Sequence, residues 1–198
     1  MNIILAGVGG QGIVLASKVI AQSAMQKGLK VRTAETIGMA QRGGCVVSHV
    51  RIGENIHAPL VALKTADLVI GFEPAEAVRA LPFLKPQGTV IVSQKAIKPV
   101  TASLSAEGYE GKTMLDYLQN SVSRLYIVDS DAVCSVCGSS KVLNTALLGA
   151  ATGSGVLGFT LTEIETALES VLPAKLLDMN IQALRAGAQN IEEGNICV

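Results

Sequence analysis

Ile3-Ile-Leu-Ala-Gly-Val-Gly-Gly-Gln-Gly12 is a short apolar run that gives way to four glycines in six positions. Ile3 to Ala6 reads as a buried strand. A helix is expected from about Gln11 to Lys27, with Ile13, Val14, Ile20 and Ala24 along one side. Ala16 and Ser17 are small enough to let that side pack closely. Gly28 ends the helix, as glycine commonly does. Leu29 to Ala34 is then a second strand. Strand, helix and strand in this order make a β-α-β unit, for which parallel pairing and a right-handed crossover are expected. The fold class is three-layer α/β, Rossmann-like, with a mixed, mostly parallel sheet.

The rest of the chain extends that pattern. A strand is expected at about Cys45 to Ile52. A tight turn at Gly53-Glu54-Asn55 then brings in Ile56-His57-Ala58, a hairpin-like insertion that makes the sheet mixed. Leu68 to Gly71, Thr89 to Val92 and Leu125 to Val128 read as core strands. Pro74 starts a helix, since proline suits the first turn, and Pro82 ends it. Residues 93–112 read as a connection, and Thr113 to Gln119 as a short helix. Ser139 to Ala151 is a helix whose small residues imply tight packing. Thr160 or Thr162 caps the next helix, and a last one runs from about Pro173 to Gln189. Nothing resembles a repeat or linker, so residues 1–198 are expected to form a single domain.

Composition excludes several classes. Of 198 residues, 49% are hydrophobic and only 16% charged, which rules out a disordered chain. Sixteen basic and sixteen acidic side chains cancel, and no basic stripe offers itself to nucleic acid. No stretch is long enough to span a membrane, and the apolar N-terminus lacks a basic leader. A cytoplasmic location follows as an expectation. Four cysteines, Cys45, Cys134, Cys137 and Cys197, do not make a disulfide framework at this length. Cys134 and Cys137 form a C-x₂-C pair, which is structural, redox-active or metal-binding; without a second pair the metal reading has only spacing behind it.

Two glycine loops carry the functional signal. Gly7, Gly9 and Gly12 satisfy G-x-G-x-x-G between a strand and a helix, where backbone can approach an anion at the helix N-terminus. Glu35 stands where a dinucleotide fold often puts its ribose-binding acid. The readings are a dinucleotide site, a site for another phosphate-bearing molecule such as coenzyme A, or close packing and subunit contact. Gln11 is polar where a backbone nest would meet a ligand or partner. The second loop is Thr36-Ile-Gly-Met-Ala-Gln-Arg-Gly-Gly44. Arg42 is suited to bidentate contact with phosphate or carboxylate, and Gly43 and Gly44 allow a tight reversal. Arg42 contacts a ligand, contacts another subunit, or is neutralised internally by Glu35. The two histidines, His49 and His57, have no relay of acids beside them and read as core or interface groups. There is no G-x₄-G-K-[ST] loop and no G-x-S-x-G elbow.

The order and spacing of these motifs resemble the gamma-type domain of the 2-oxoacid:ferredoxin oxidoreductases. The resemblance rests on Gly7-Val-Gly-Gly-Gln-Gly12, Glu35 to Gly44, Ser48-His-Val-Arg51, Gly71-Phe-Glu-Pro74 with Glu76 and Arg79, Lys141-Val-Leu-Asn144 with Leu148-Gly-Ala150, and Asn180 to Gly187. It covers nearly the whole chain. The Gly-Met-Ala-Gln-Arg form resembles the beta subunits of the indolepyruvate branch. The resemblance implies a subunit of a complex that converts aryl pyruvates, coenzyme A and oxidised ferredoxin to aryl-acetyl-CoA, carbon dioxide and reduced ferredoxin. Gamma-type subunits for pyruvate, 2-oxoglutarate or branched-chain oxoacids are the near alternative, and an independent dinucleotide-binding dehydrogenase the distant one. The resemblance further implies a catalytic alpha subunit as partner, holding thiamine diphosphate, magnesium and 4Fe-4S clusters and passing electrons to ferredoxin. This chain is expected to supply no catalytic residue and no metal ligand, and to hold no cofactor firmly on its own. Its candidate contacts to coenzyme A are Gly9, Gly10, Gln11, Gly12, Arg42, Gly43 and Gly44.

Overall fold

The computed structural model describes residues 1–37, 44–97 and 109–192. In chain order these form β1 (Asn2–Val8), α1 (Ile13–Gln26), β2 (Val31–Ile37), β3 (Cys45–Ile52), β4 (Ala66–Gly71), α2 (Pro74–Ala80), β5 (Leu84–Ser93), α3 (Gly111–Ser121), β6 (Leu125–Val128), α4 (Ser130–Val136), α5 (Leu143–Gly153), α6 (Leu161–Val171) and α7 (Ala174–Glu192). The strands make one six-stranded sheet in the order β2-β3-β1-β4-β5-β6. β1, β4, β5 and β6 run parallel, while β3 is antiparallel to both of its neighbours.

Period-2 alternation sorts the core into two layers. Ile3, Leu5, Val46, Val50, Leu68, Ile70, Ile91 and Val128 face α1 and the C-terminal helices α4 to α7. Ile4, Ala6, Val69, Val90, Val92 and Leu125 face α2 and α3. The central strands are buried on both faces, which is why they read as continuous apolar runs.

The expected parallel pairing of the first β-α-β unit is not formed. β3 lies between β1 and β2 and pairs with each along its length, from Asn2↔Arg51 to Val8↔Cys45 and from Val31↔Ile52 to Ile37↔Val46. β1 and β2 still point the same way, but a strand's width apart. A β2–β3 hairpin closes on itself more readily than two strands joined through a helix, and its second arm then fills the place beside β1. Residues 56–58 form no strand, so the mixed character comes from β3 and not from a hairpin at Gly53. The sequence also gave no warning of α4, a short helix capped by the Asp129 carboxylate, which accepts from Ala132 N–H at 3.0 Å.

Helices α5 and α7 meet backbone to backbone. A Cβ placed on Gly149 would stand 1.9 Å from Leu184 O, and one on Gly187 would stand 2.0 Å from Ala146 O. The contact also holds buried polar groups, since Thr145 Oγ1 donates to Asn180 Oδ1 at 2.6 Å.

Candidate functional site

In open α/β sheets, ligands bind beyond the carboxyl ends of the parallel strands. At that edge β1 runs into the first glycine loop, and β3 begins at the end of the second. Gly9 N–H donates to Gly44 O at 2.9 Å, extending the β1–β3 ladder one step past Val8↔Cys45. The two glycine loops therefore spring from adjacent strand ends. Arg42 and Gly43 lie outside the described residues.

The first loop is held from within. Gln11 Oε1 accepts from Val8 N–H at 2.7 Å, and Gln11 Nε2 donates to Phe72 O at 2.8 Å. The side chain expected to meet a ligand instead ties the end of β1 to the residue after β4. Gly7 leaves room for this clamp, because a Cβ there would lie 2.7 Å from Gln11 Oε1. Gly12 has φ +79 and sits against the buried Asn144, whose Nδ2 donates to Gly12 O at 3.4 Å.

Helix α1 begins at Gly12 with no side-chain cap and no acid in its first turn. Its first N–H groups and the positive end of its dipole therefore face the loop unopposed. Above them opens a cleft of about 560 Å³, whose floor is Gly9, Gly10, Gln11 and Gly12. Leu15, Ile97 and Leu143 supply apolar wall, and Lys95, Ser140, Lys141 and Asn144 the polar rim. Lys95 Nζ is paired with Asp131 Oδ1 at 2.6 Å, and that carboxylate holds the Lys95 ammonium above its usual range. An uncapped helix start, a glycine floor and two lysines suit a phosphate-bearing ligand with an apolar arm.

Beside the cleft lies a knot of buried carboxylates that the sequence reading did not assign. Glu73 is 1% exposed and caps α2, accepting from Glu76 N–H at 3.1 Å. Its other oxygen accepts from Tyr109 Oη and from Ile97 N–H, the latter at 3.4 Å. Burial, reinforced by the neighbouring Glu73 carboxylate, pushes the Tyr109 hydroxyl up, so it stays a donor. Glu76 pairs with Arg79 and borders Cys45, whose thiol is pushed up to about 11, by burial first and by Glu76 second. Glu73 precedes Pro74 where Ser, Thr or Asp would have signalled a cap. Lys95 reaches the cleft from the segment after β5, Lys141 from the short turn before α5, and Asn144 from α5 itself, all far from the loop in sequence.

The other candidates resolve simply. His49 Nδ1 accepts from Val61 N–H at 3.2 Å, and its ring meets Phe83 edge-on. Burial lowers its affinity for a proton, so it is a neutral core histidine. Glu35 lies on β2, with β3 between it and β1. Two strand spacings, about 10 Å, separate it from β1, where a ribose-binding acid would stand on the adjacent strand, only one spacing away. Cys134 is buried in α4 and Cys137 half-exposed at its end, with both thiols pushed up by burial. Among the described residues no group of three or more His, Cys, Asp or Glu side chains is placed to hold a metal ion. No described helix is long and apolar enough to cross a membrane.

Residues 2–190 match the family described as pyruvate ferredoxin/flavodoxin oxidoreductase. The chain belongs to this family. It is 37% identical over 188 residues to the indolepyruvate oxidoreductase subunit IorB of Archaeoglobus fulgidus, covering 94% of this chain and 93% of that one. In fold it is similar to the gamma subunit of a keto/oxoacid ferredoxin oxidoreductase from Geobacter sulfurreducens, with a TM-score of 0.70 and 20% identity over 98% of this chain and 99% of that chain. It is also similar to part of the 2-oxoglutarate:ferredoxin oxidoreductase of Magnetococcus marinus, described with 2-oxoglutarate, coenzyme A and succinyl-CoA bound. There the TM-score is 0.73 and the identity 16%, over 98% of this chain and 31% of that one. The mixed, mostly parallel α/β sheet is thus the gamma-type fold of these oxidoreductases.

Proposed function

We propose that this chain is the non-catalytic subunit of an indolepyruvate:ferredoxin oxidoreductase and that it positions coenzyme A for a catalytic partner. The observation that carries the reading is the 37% identity to an indolepyruvate oxidoreductase subunit over nearly the full length of both chains. The complex would convert aryl pyruvates and coenzyme A to aryl-acetyl-CoA and carbon dioxide, reducing ferredoxin. The described residues offer no ligand set for an iron–sulfur cluster, which would need several cysteines in one place. On this reading thiamine diphosphate, magnesium and 4Fe-4S clusters, and with them the chemical steps, belong to the partner. Its location would be cytoplasmic.

The chain's own work is binding. Gly9, Gly10 and Gly12 present main chain to a phosphate at the start of α1. Gln11 serves through its backbone, since its side chain is occupied by Val8 and Phe72. Arg42, Gly43 and Gly44, on the loop that reaches β3 beside Gly9, complete the set of proposed contacts. Lys141 adds charge at the rim, and Leu15, Ile97 and Leu143 offer apolar wall for a pantetheine arm. The fold neighbour with coenzyme A bound is in keeping with that ligand class.

The test is co-expression with the catalytic subunit and assay of ferredoxin reduction against indolepyruvate, pyruvate, 2-oxoglutarate and a branched-chain oxoacid, with each subunit alone as control. The expected result is coenzyme-A-dependent activity in the complex only, highest with indolepyruvate. Arg42→Ala is expected to raise the KM for coenzyme A several-fold while leaving kcat little changed. A preference for another oxoacid would move the protein to a different branch of its family. Binding of NADH by the isolated chain would overturn the reading.

A further inference from the structure

β2 is the edge of the sheet, and half of its backbone groups point away from it. Ile52 N–H bonds to Met1 O and so faces β1, whereas Gly53 N–H bonds to Lys30 O and so faces β2. Alternation along an antiparallel ladder then turns the backbone of Arg51, His49 and Val47 toward β2, where Arg32, Ala34 and Thr36 meet them. The intervening residues Val31, Thr33 and Glu35 must point N–H and C=O away from the sheet. Among the described residues, no backbone hydrogen bond outside the ladder reaches any of these three.

The strand is exposed on both faces as well. Arg32 and Thr36 on one side and Thr33 and Glu35 on the other are all exposed. Natural edge strands are usually short, bulged, covered, or guarded by proline or by charge, lysine above all. β2 is seven residues long, pairs with β3 without a bulge, carries no proline and no lysine, and is rich in β-branched residues; its two charges, Arg32 and Glu35, are of opposite sign.

We propose that β2 is a dimerisation edge, pairing antiparallel with β2 of a second copy of this chain to make one continuous twelve-stranded sheet. A two-fold axis normal to the sheet keeps each face on its own side, so the paired residue numbers must sum to an even number. The register centred on Ala34 overlaps all seven residues, whereas its neighbours overlap five. It sets Thr33 opposite Glu35 of the second copy, Arg32 opposite Thr36, and Val31 opposite Ile37. The outward groups of Thr33 and Glu35 then face each other as a hydrogen-bonded pair, and no like charges stand opposite. The self-complementarity singles out a second copy as the occupant, and a formal net charge of zero puts little long-range repulsion in its way. Met25 and Leu29, exposed at 53% and 36% at the end of α1 just before β2, add apolar surface close to where the strand begins.

The test uses the full chain, by analytical ultracentrifugation in low salt and by amide hydrogen exchange. A dimer is expected, with the Thr33 and Glu35 amides slowed in concentrated solution relative to dilute. Thr33→Glu opposes Glu35 of the other copy at two symmetric positions and is expected to weaken the dimer by at least about tenfold. Thr33→Lys meets the same carboxylates with opposite charge and is expected to dimerise at least as well as the parent chain. Position 33 is exposed, so both variants should melt like the parent chain when dilute. A chain that stays monomeric at about 100 μM, or a dimer indifferent to both changes, would overturn the proposal. Equal weakening by Glu and Lys would overturn the register. Slowing of these amides only when the catalytic subunit is added would give the edge to that partner instead.

Discussion

Glycines in this molecule do two different jobs, and the β1–α1 loop and the α5–α7 contact show them side by side. In the helix pair, Gly149 and Gly187 are helical residues whose missing side chains let two backbones touch. In the loop, Gly10 and Gly12 have φ +98 and +79, and at Gly10 nothing lies within 4 Å of where a Cβ would stand. The first pair is required by contact and the second by conformation. A glycine that faces protein stabilises the fold. One that faces open space at a helix start leaves room for something else.

The largest effect should come from the helix pair. Gly149→Ala forces a methyl against the Leu184 carbonyl, which cannot rotate away as a side chain would. A loss of about 3 kcal/mol is expected, lowering Tm by roughly 6–12 °C in a calorimetric scan. Affinity for coenzyme A below the transition should barely change. Gly12→Ala combines both jobs, with a left-handed backbone and a Cβ 2.6 Å from Asn144 Nδ2. About 2 kcal/mol should be lost in denaturant unfolding. Adding Asn144→Ala should recover the contact part and leave the backbone part, a coupling that a double-mutant cycle measures. Gly10→Ala should cost only about 1 kcal/mol of stability, from strain alone. Its methyl enters the cleft, so calorimetric titration of the complex should show a larger loss in coenzyme A affinity than in stability. Lys141→Ala should be the mildest, raising the KM for coenzyme A about threefold in low salt and less at 0.5 M salt, with Tm unchanged. If Gly10→Ala and Lys141→Ala left coenzyme A binding untouched, the loop glycines would rejoin the packing class.

Much of this was legible in the sequence. Cys45–Ile52 and Leu125–Val128 fall on the strands expected, because runs of β-branched residues bounded by glycine or polar turns leave little choice. The capping box at Thr160 and Glu163 is present, one of the two caps proposed for α6. The placement of β3 between β1 and β2 was not legible, since pairing partners depend on loop closure and not on local pattern. Nor was the inward turn of Gln11, because a polar residue in a glycine loop has the same pattern whether it serves a ligand or the backbone. Glu73 and Asn144 stand in motifs that carry the family resemblance, but their distant partners could not be read there. Asn144 meets Gly12, Glu73 meets Ile97 and Tyr109, and Lys95 meets Asp131, each across a distance in sequence that no short motif spans.

The insertion of β3 also sets an order on assembly. When the ribosome has made β1, α1 and β2, the two strands have no surface in common, for the space between them is one strand wide. β2 has α1 beside it but no strand to pair with until β3 emerges, and β3 must satisfy two ladders at once. The first forty residues are therefore a half-built frame, and the segment between β2 and β3 is also the one that carries Arg42. The stretch that must be made before the frame can close and the stretch proposed to greet the ligand are the same piece of chain.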